Sequence, residues 1–199
     1  MARVTIRHAV DLLEKEGLVK RRQGNGTFVI DKIRDRRWLQ LATTWQSLIS
    51  MIENNVVKFM PVREPPQQPE LCEGEGRPAL EYVFLRSVQS RNGEPFGLVN
   101  VHLAKHIFDR APDVFRTRTA LPVVATLRGL KISAAHQTFV IATADTEAAE
   151  LLKIPLNAPT AEARCVVIDN KGVAVYVADI VYRGDSIKLN IDLLSTVNE

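Results

Sequence analysis

Apolar positions recur three and four apart at the start of the chain and then change period several times. Ile6, Ala9, Val10 and Leu13, with Leu12 beside them, form one stripe of an amphipathic helix that opens at Arg3–Arg7 and runs to Glu16. Gly17 stands where a helix C-cap belongs. A basic strand (residues 18–22), a Gln23-Gly24-Asn25-Gly26 tip and a second strand (27–30) then predict a glycine-tipped β-ribbon. Residues 31–37 are almost entirely charged and read as a linker. Trp38, Leu41, Trp45, Leu48 and Ile52 form a second stripe, which predicts a helix from Trp38 to about Asn54. A short strand over 56–62 leads into a stretch broken by Pro61, Pro65, Pro66 and Pro69 and continued through Gly76.

From Leu80 the pattern is strand-rich. Strands are expected over 80–89, 96–103, 131–144, 162–168, 173–182 and 187–193. Turns fall at 90–95 (with Asn92-Gly93 inside), 169–172 and 183–185. Helices are expected over 119–128, ending at Gly129, and from an Asp145 cap through Leu152. Hairpins with interspersed helices argue an α+β domain with a mostly antiparallel sheet. The organisation expected is a helix-and-ribbon unit over 1–30, a linker and amphipathic helix over 31–60, and the sheet domain over 61–199.

Charge changes this picture more than composition does. Residues 1–37 hold ten Lys/Arg and five Asp/Glu, whereas residues 38–199 hold sixteen and eighteen. The net +3 of the chain is thus an average over a basic head and a slightly acidic body. A helix and a ribbon carrying that excess have the electrostatic footprint of phosphate binding. A small-residue ribbon tip suits a minor groove, and arginine at a helix start suits phosphates or guanine edges. An ordinary surface helix and hairpin with solvated arginines is the competing reading of the same residues.

The run from Arg3 to Val29 (RVTIRHAVDLLEKEGLVKRRQGNGTFV) resembles the recognition helix and wing of the GntR family of bacterial transcription regulators. The resemblance places DNA contacts on Arg3, Thr5 and Arg7, and the minor-groove glycine of the wing on Gly24. Family members carry about two further helices and a small strand before this point. Their absence predicts a partial winged helix-turn-helix whose apolar stripe lacks its cover. It also predicts incomplete order over 1–35 or support from elsewhere, and weak specific DNA binding by this chain. The order Leu85-Arg86, Asn-Gly-Glu-Pro (92–95), Gly-Leu-Lys-Ile (129–132), Ala-Ala-Glu-Leu-Leu-Lys-Ile-Pro (148–155), Asp-Asn-Lys-Gly (169–172) and Val-Tyr-Arg-Gly-Asp (181–185) resembles the UTRA effector-binding domain. That domain has the chorismate-lyase-like fold, and its pairing with this head is similar to the HutC/FarR-like branch.

In that family a small effector occupies a cleft between the sheet and its helices. The resemblance puts an anion-binding Arg at Arg86, partner-strand polarity at Asn100, a helix-start hydroxyl at Thr119, and further contacts at Tyr176, Asp179 and Tyr182. Relatives often have Glu where Asn100 and Tyr176 stand. For each of these a plainer role competes: a surface ion pair for Arg86, sheet packing for the tyrosines, a solvated face for Asp179. His136 and Gln137 are further residues whose facing the sequence leaves open.

The function expected is DNA-binding transcription regulation by a repressor, with a metabolite effector, anionic by the Arg86 match, controlling operator binding. A homodimer is expected, since palindromic operators imply two-fold proteins. A stand-alone small-molecule-binding or dimerisation module is the alternative, and a chorismate-lyase-like enzyme a further one. Against the enzyme, no nucleophile–base pair, paired carboxylates or metal set is visible, and no cofactor is expected. Cys72 and Cys165 read as free thiols of a cytoplasmic protein, and His102 and His106 have no further ligands at metal spacing. No apolar run reaches membrane length, and no secretory leader is visible.

Overall fold

The computed structural model describes residues 3–15, 19–22, 26–29 and 39–191. Its contacts divide the chain into two units, Met1–Trp38 and Leu39–Glu199. In the first, helix α1 (Arg3–Lys15) is followed by an antiparallel ribbon, β1 (Val19–Arg22) with β2 (Gly26–Val29). Arg21 of β1 ties the ribbon to α1. Its guanidinium meets Asp11 and lies 3.5 Å from Glu14, and its amide donates to the Glu14 carboxylate at 3.1 Å. Ile6, Leu12 and Leu13 of the expected stripe are exposed, as is Phe28 of β2.

The second unit runs β3 (Leu39–Leu41), α2 (Trp45–Ile52), β4 (Val56–Met60), β5 (Arg77–Pro78), β6 (Tyr82–Arg91) and β7 (Glu94–Ala104). Three short helices follow: α3 (Lys105–Phe108), α4 (Pro112–Phe115) and α5 (Ala120–Thr126). Then come β8 (Ile132–Thr143), α6 (Thr146–Leu152), β9 (Pro159–Asp169), β10 (Val173–Arg183), a 3-10 turn (Gly184–Ser186) and β11 (Ile187–Leu189). The main sheet has the order β4-β6-β7-β10-β9-β8, every neighbour antiparallel, with the two-residue β5 added in parallel to β10. This is the expected α+β architecture.

Two expectations need correction. The helix predicted from Trp38 begins only at Trp45; Trp38 itself lies outside the described residues. Leu39–Leu41 is instead a strand in parallel with β11. Thr44 starts the helix by a capping box: its hydroxyl accepts from the Ser47 amide at 3.2 Å, and Ser47 Oγ accepts from the Thr44 amide at 3.1 Å. Second, the sheet domain expected from residue 61 takes in the amphipathic helix and the strand that precede it. β4 is one of its strands, and α2 buries Leu48 and Ile52 in its core.

Strand pairing fixes which side chains share a face, because directly opposed residues point the same way. One face is the core face. Val99, Val101, Leu103, Val167 and Val175 pack there against Leu48 of α2, Ile107 of α3, Phe115 of α4 and Leu121 of α5. On the second face α6 packs Ala148 and Leu152 against Val88 and Leu98. Asp145 starts α6 as expected, its carboxylate accepting from the Ala148 amide at 2.7 Å. Gly97 lies opposite Tyr182 on the core face. A Cβ at Gly97 would come within 3.3 Å of the Tyr182 ring, which stacks on Phe96 with centroids 6.3 Å apart. No helix among the described residues is long and apolar enough to cross a membrane.

Candidate effector site

The sequence-predicted effector residues do not converge on one site. Arg86, Asn100 and Asp179 are directly opposed across β6, β7 and β10, and the row continues through Arg164 to Thr138. All of these sit on the second face. Tyr176 and Tyr182 alternate with Asp179 along β10 and point to the core face, each 3% exposed and part of the main core. Burial raises the pKa of both hydroxyls, so both rings are neutral packing groups. Thr119 precedes α5 on the core side, 8% exposed. It makes no capping bond, and its buried Oγ1 has no hydrogen-bond partner among the described residues. The expected alliance of Arg86 with Thr119 and the tyrosines therefore fails on strand parity, since the sheet stands between them.

The second face carries a cavity of about 670 Å³ lined by Asn100, Thr138, Glu162, Arg164, Asp179 and the 72–75 loop, among others. Its cation is fully engaged. Arg164 clamps Glu75 through Nε at 2.8 Å and a terminal nitrogen at 2.9 Å, and donates to Asp179 at 2.7 Å and to the Glu70 carbonyl. That guanidinium, more than any other group, holds the Glu75 carboxyl below its ordinary range. Arg86 is engaged only in part: one terminal nitrogen lies 2.5 Å from Glu147 of α6, while its Nε and the Oδ1 of the opposed Asn100 are buried with no hydrogen-bond partner among the described residues. These ion pairs fasten the proline-rich loop and α6 to the sheet.

A cleft of about 370 Å³ opens on the core face between the sheet and the start of α2. Residues 42–45 and Leu48 form one wall; Gln137 and Phe139 of β8, Cys165 of β9 and Leu189 of β11 form the others. The open residue Gln137 thus faces the cleft, whereas His136 touches both cavities. Sequence reasoning missed this wall because 42–45 was assigned to a helix interior; the Thr43-Thr44 pair before an apolar run was the available N-cap signal. Of the DNA-contact candidates, Thr5 and Arg7 lie exposed on α1 and Arg3 is its first residue, while Gly24 lies outside the described residues. Both cysteines are free, Cys72 exposed and Cys165 buried.

Residues 56–188, which span most of this sheet, match the UTRA domain model. The chain belongs to the UTRA domain family. It is 23% identical to the HTH-type transcriptional regulator Rv0792c of Mycobacterium tuberculosis, over 99% of this chain and 74% of that protein. The fold is similar to that of PhnF from Mycobacterium smegmatis, with a TM-score of 0.62 and 20% identity over 98% of this chain and 87% of that one. It is also similar to a GntR-family transcriptional regulator from Enterococcus faecalis, with a TM-score of 0.50 and 14% identity over 56% and 81% of the two chains. Two of these three, Rv0792c and the Enterococcus faecalis protein, bear the names of transcriptional regulators.

Proposed function

We propose that this UTRA protein is a cytoplasmic, one-component transcription regulator of the HutC/FarR-like branch of the GntR family, acting as a repressor. A small molecule held in the core-face cleft changes its affinity for an operator. The observation that carries the reading is the position of residues 42–45. They line the cleft and directly follow β3, where the second unit begins. A ligand that pulls on this wall acts on the segment leading back along the chain to the basic head. It needs only to prefer one arrangement of that segment to shift the equilibrium.

Arg3, Thr5, Arg7 and Gly24 are assigned to DNA. In the effector domain, Thr119, Tyr176 and Tyr182 are assigned to the packing behind the cleft. Asn100, Asp179 and Arg86 are assigned to the second face, where ion pairs engage Asp179 and Arg86. The homodimer reading is supported by β8. It is an edge of the sheet, twelve residues long, with neither proline nor a charged side chain, and with Val140 and Ile141 exposed. Natural edges of that length are normally blunted by charge or covered. The opposite edge, β4, is five residues long and carries Lys58.

The test is fluorescence anisotropy on duplexes selected from a random pool with the whole chain. Two-fold symmetric sites should be enriched but bound weakly, as a partial winged helix predicts, and binding should weaken further as salt rises. Arg7→Ala should lower the salt slope by about one. A cleft-blocking Ala42→Trp variant should keep DNA binding and lose its response to ligand. Binding indifferent to salt and to Arg7 would remove the DNA reading and leave a small-molecule-binding module.

A further inference from the structure

The core-face cleft differs in chemistry from the row of ionic side chains behind it. Among its described lining residues there is no Asp, Glu, Lys or Arg. Its walls are largely apolar (Leu48, Phe139, Leu189) with Trp45 at the rim of α2. Thr43, Gln137 and His136 are the polar side chains of the lining besides the capping Thr44; those of Thr43 and Gln137 make no hydrogen bond to a described residue, and His136, opposed to Val166, belongs by strand parity to the second face. At the start of α2 the Thr44–Ser47 capping box takes up the Thr44 and Ser47 amides, two of the donors an anion would otherwise meet. The sheet cations Arg86 and Arg164 are on the opposite face and already paired.

From these observations we infer that the effector is an uncharged molecule with an apolar, ring-sized body and one or two hydrogen-bonding groups, bound through Gln137 and Thr43. The inference rests on the cleft being the effector site and replaces the anionic ligand expected from Arg86. The physical reason is the cost of moving a carboxylate or phosphate from water into a site whose described lining holds no Lys or Arg and whose one imidazole, His136, is turned by strand parity to the other face. A neutral amide or hydroxyl loses far less and regains it from the Gln137 amide. The surroundings have the same character. Burial pushes the Cys165 thiol up to about 12, so this wall stays uncharged through the neutral range. A cleft of this volume takes a one- or two-ring compound.

Trp45 provides the readout. The chain has two tryptophans, so Trp38→Phe leaves Trp45 as the single reporter in the cleft wall. This variant is titrated with isosteric neutral and anionic pairs: benzamide and benzoate, nicotinamide and nicotinate, indole-3-carboxamide and indole-3-carboxylate. Emission excited at the red edge should shift with the neutral members, at least tenfold more tightly than with their carboxylates in the best pair. Gln137→Arg, which brings a guanidinium into the cleft, should reverse the preference. A wild-type preference for carboxylates at Trp45 overturns the inference and leaves the cleft as effector site. Ligands that stabilise the protein without moving Trp45 overturn both together, and so does silence from every neutral member.

Discussion

The two faces of the main sheet share their strands but not their means of holding what lies on them. The core face buries aliphatic and aromatic side chains under four helices, and its polar groups are neutral: Ser87, Gln89 and Thr119 are all buried there. The second face holds one helix and a proline-rich loop over smaller apolar clusters (Ala148 and Leu152 on Val88 and Leu98, Leu71 on Val166 and Val177) and adds ion pairs that the described residues of the core face lack: Arg164 with Glu75 and Asp179, Arg86 with Glu147. A buried apolar contact is lost only by creating a void or admitting a polar group. An ion pair at a half-open surface is lost to salt, acid or a single truncation. The face suited to a specific, dry ligand cleft is thus the one without ions.

The most severe break in this comparison is a charge on the wrong side. Ala178 is fully buried on the core face, next to Asp179 on the other. Ala178→Asp should cost more than about 4 kcal/mol, enough to abolish the cooperative thermal transition. Asp179→Ala, one residue on, should leave a clean transition near the wild-type midpoint.

Next in size is Arg164→Ala. It strands the Glu75 carboxylate and frees the Glu70 carbonyl, at about 2 kcal/mol in urea unfolding. Limited proteolysis should then cut within the 70–76 loop while the β6–β7 hairpin stays intact. An unchanged cleavage pattern would show that Arg164 does not fasten the loop.

Acid should also distinguish the faces. Glu75 titrates below its ordinary value of 4.5 because Arg164 donates to its carboxylate, so its stabilisation is full above that value and fades as pH falls through the folded one. His102, on the second face against the Phe84 ring 5.0 Å away, titrates below its ordinary 6.5 because of burial. Its folded form prefers the neutral imidazole, so the unfolded chain binds the proton first and stability falls as pH drops below 6.5. Two successive losses are expected in urea midpoints measured from pH 7 to 4. His102→Gln should remove the first and Arg164→Ala the second.

The smallest effects come from the helix starts. Thr44→Ala on the core side and Asp145→Ala on the second should each cost about 1 kcal/mol. Only Thr44→Ala should alter ligand response, because Thr44 lines the cleft. Arg86→Ala should cost less still, its partner Glu147 being half-exposed, and should leave probe binding at Trp45 unchanged.

Much of the fold was legible because local chemistry specified it. Asn92 and Gly93 take positive φ of 53° and 82° in the β6–β7 turn, as an Asn-Gly pair invites, and Asp145 caps the helix it was expected to cap. The site was less legible, and for one reason. β6 reads Tyr-Val-Phe-Leu-Arg-Ser-Val and β7 reads Phe-Gly-Leu-Val-Asn-Val-His, apolar on both faces, because both faces are covered. Without alternation the sequence does not say which side Arg86 takes, and a one-residue error moves a side chain through the sheet. β3 was hidden differently: Trp38, Leu41 and Trp45 have helical spacing by coincidence, and the pairing that makes 39–41 a strand comes from Ile187–Leu189, nearly 150 residues away. The helices at 105–108 and 112–115 are single turns, too short for a period to register.

The parallel pairing of β3 with β11 also has a mechanical consequence. Leu39 lies beside Ile187 and Leu41 beside Leu189, so the chain enters the pair at one end and leaves it at the other. Tension applied between the segment before Leu39 and the segment after Leu189 loads this clasp in shear, and its hydrogen bonds share the force. The β1–β2 ribbon, entered and left at the same end, opens bond by bond like a zipper under the same pull. A three-residue ladder is short, but in this geometry it is the stiffest way to close the two ends of the second unit.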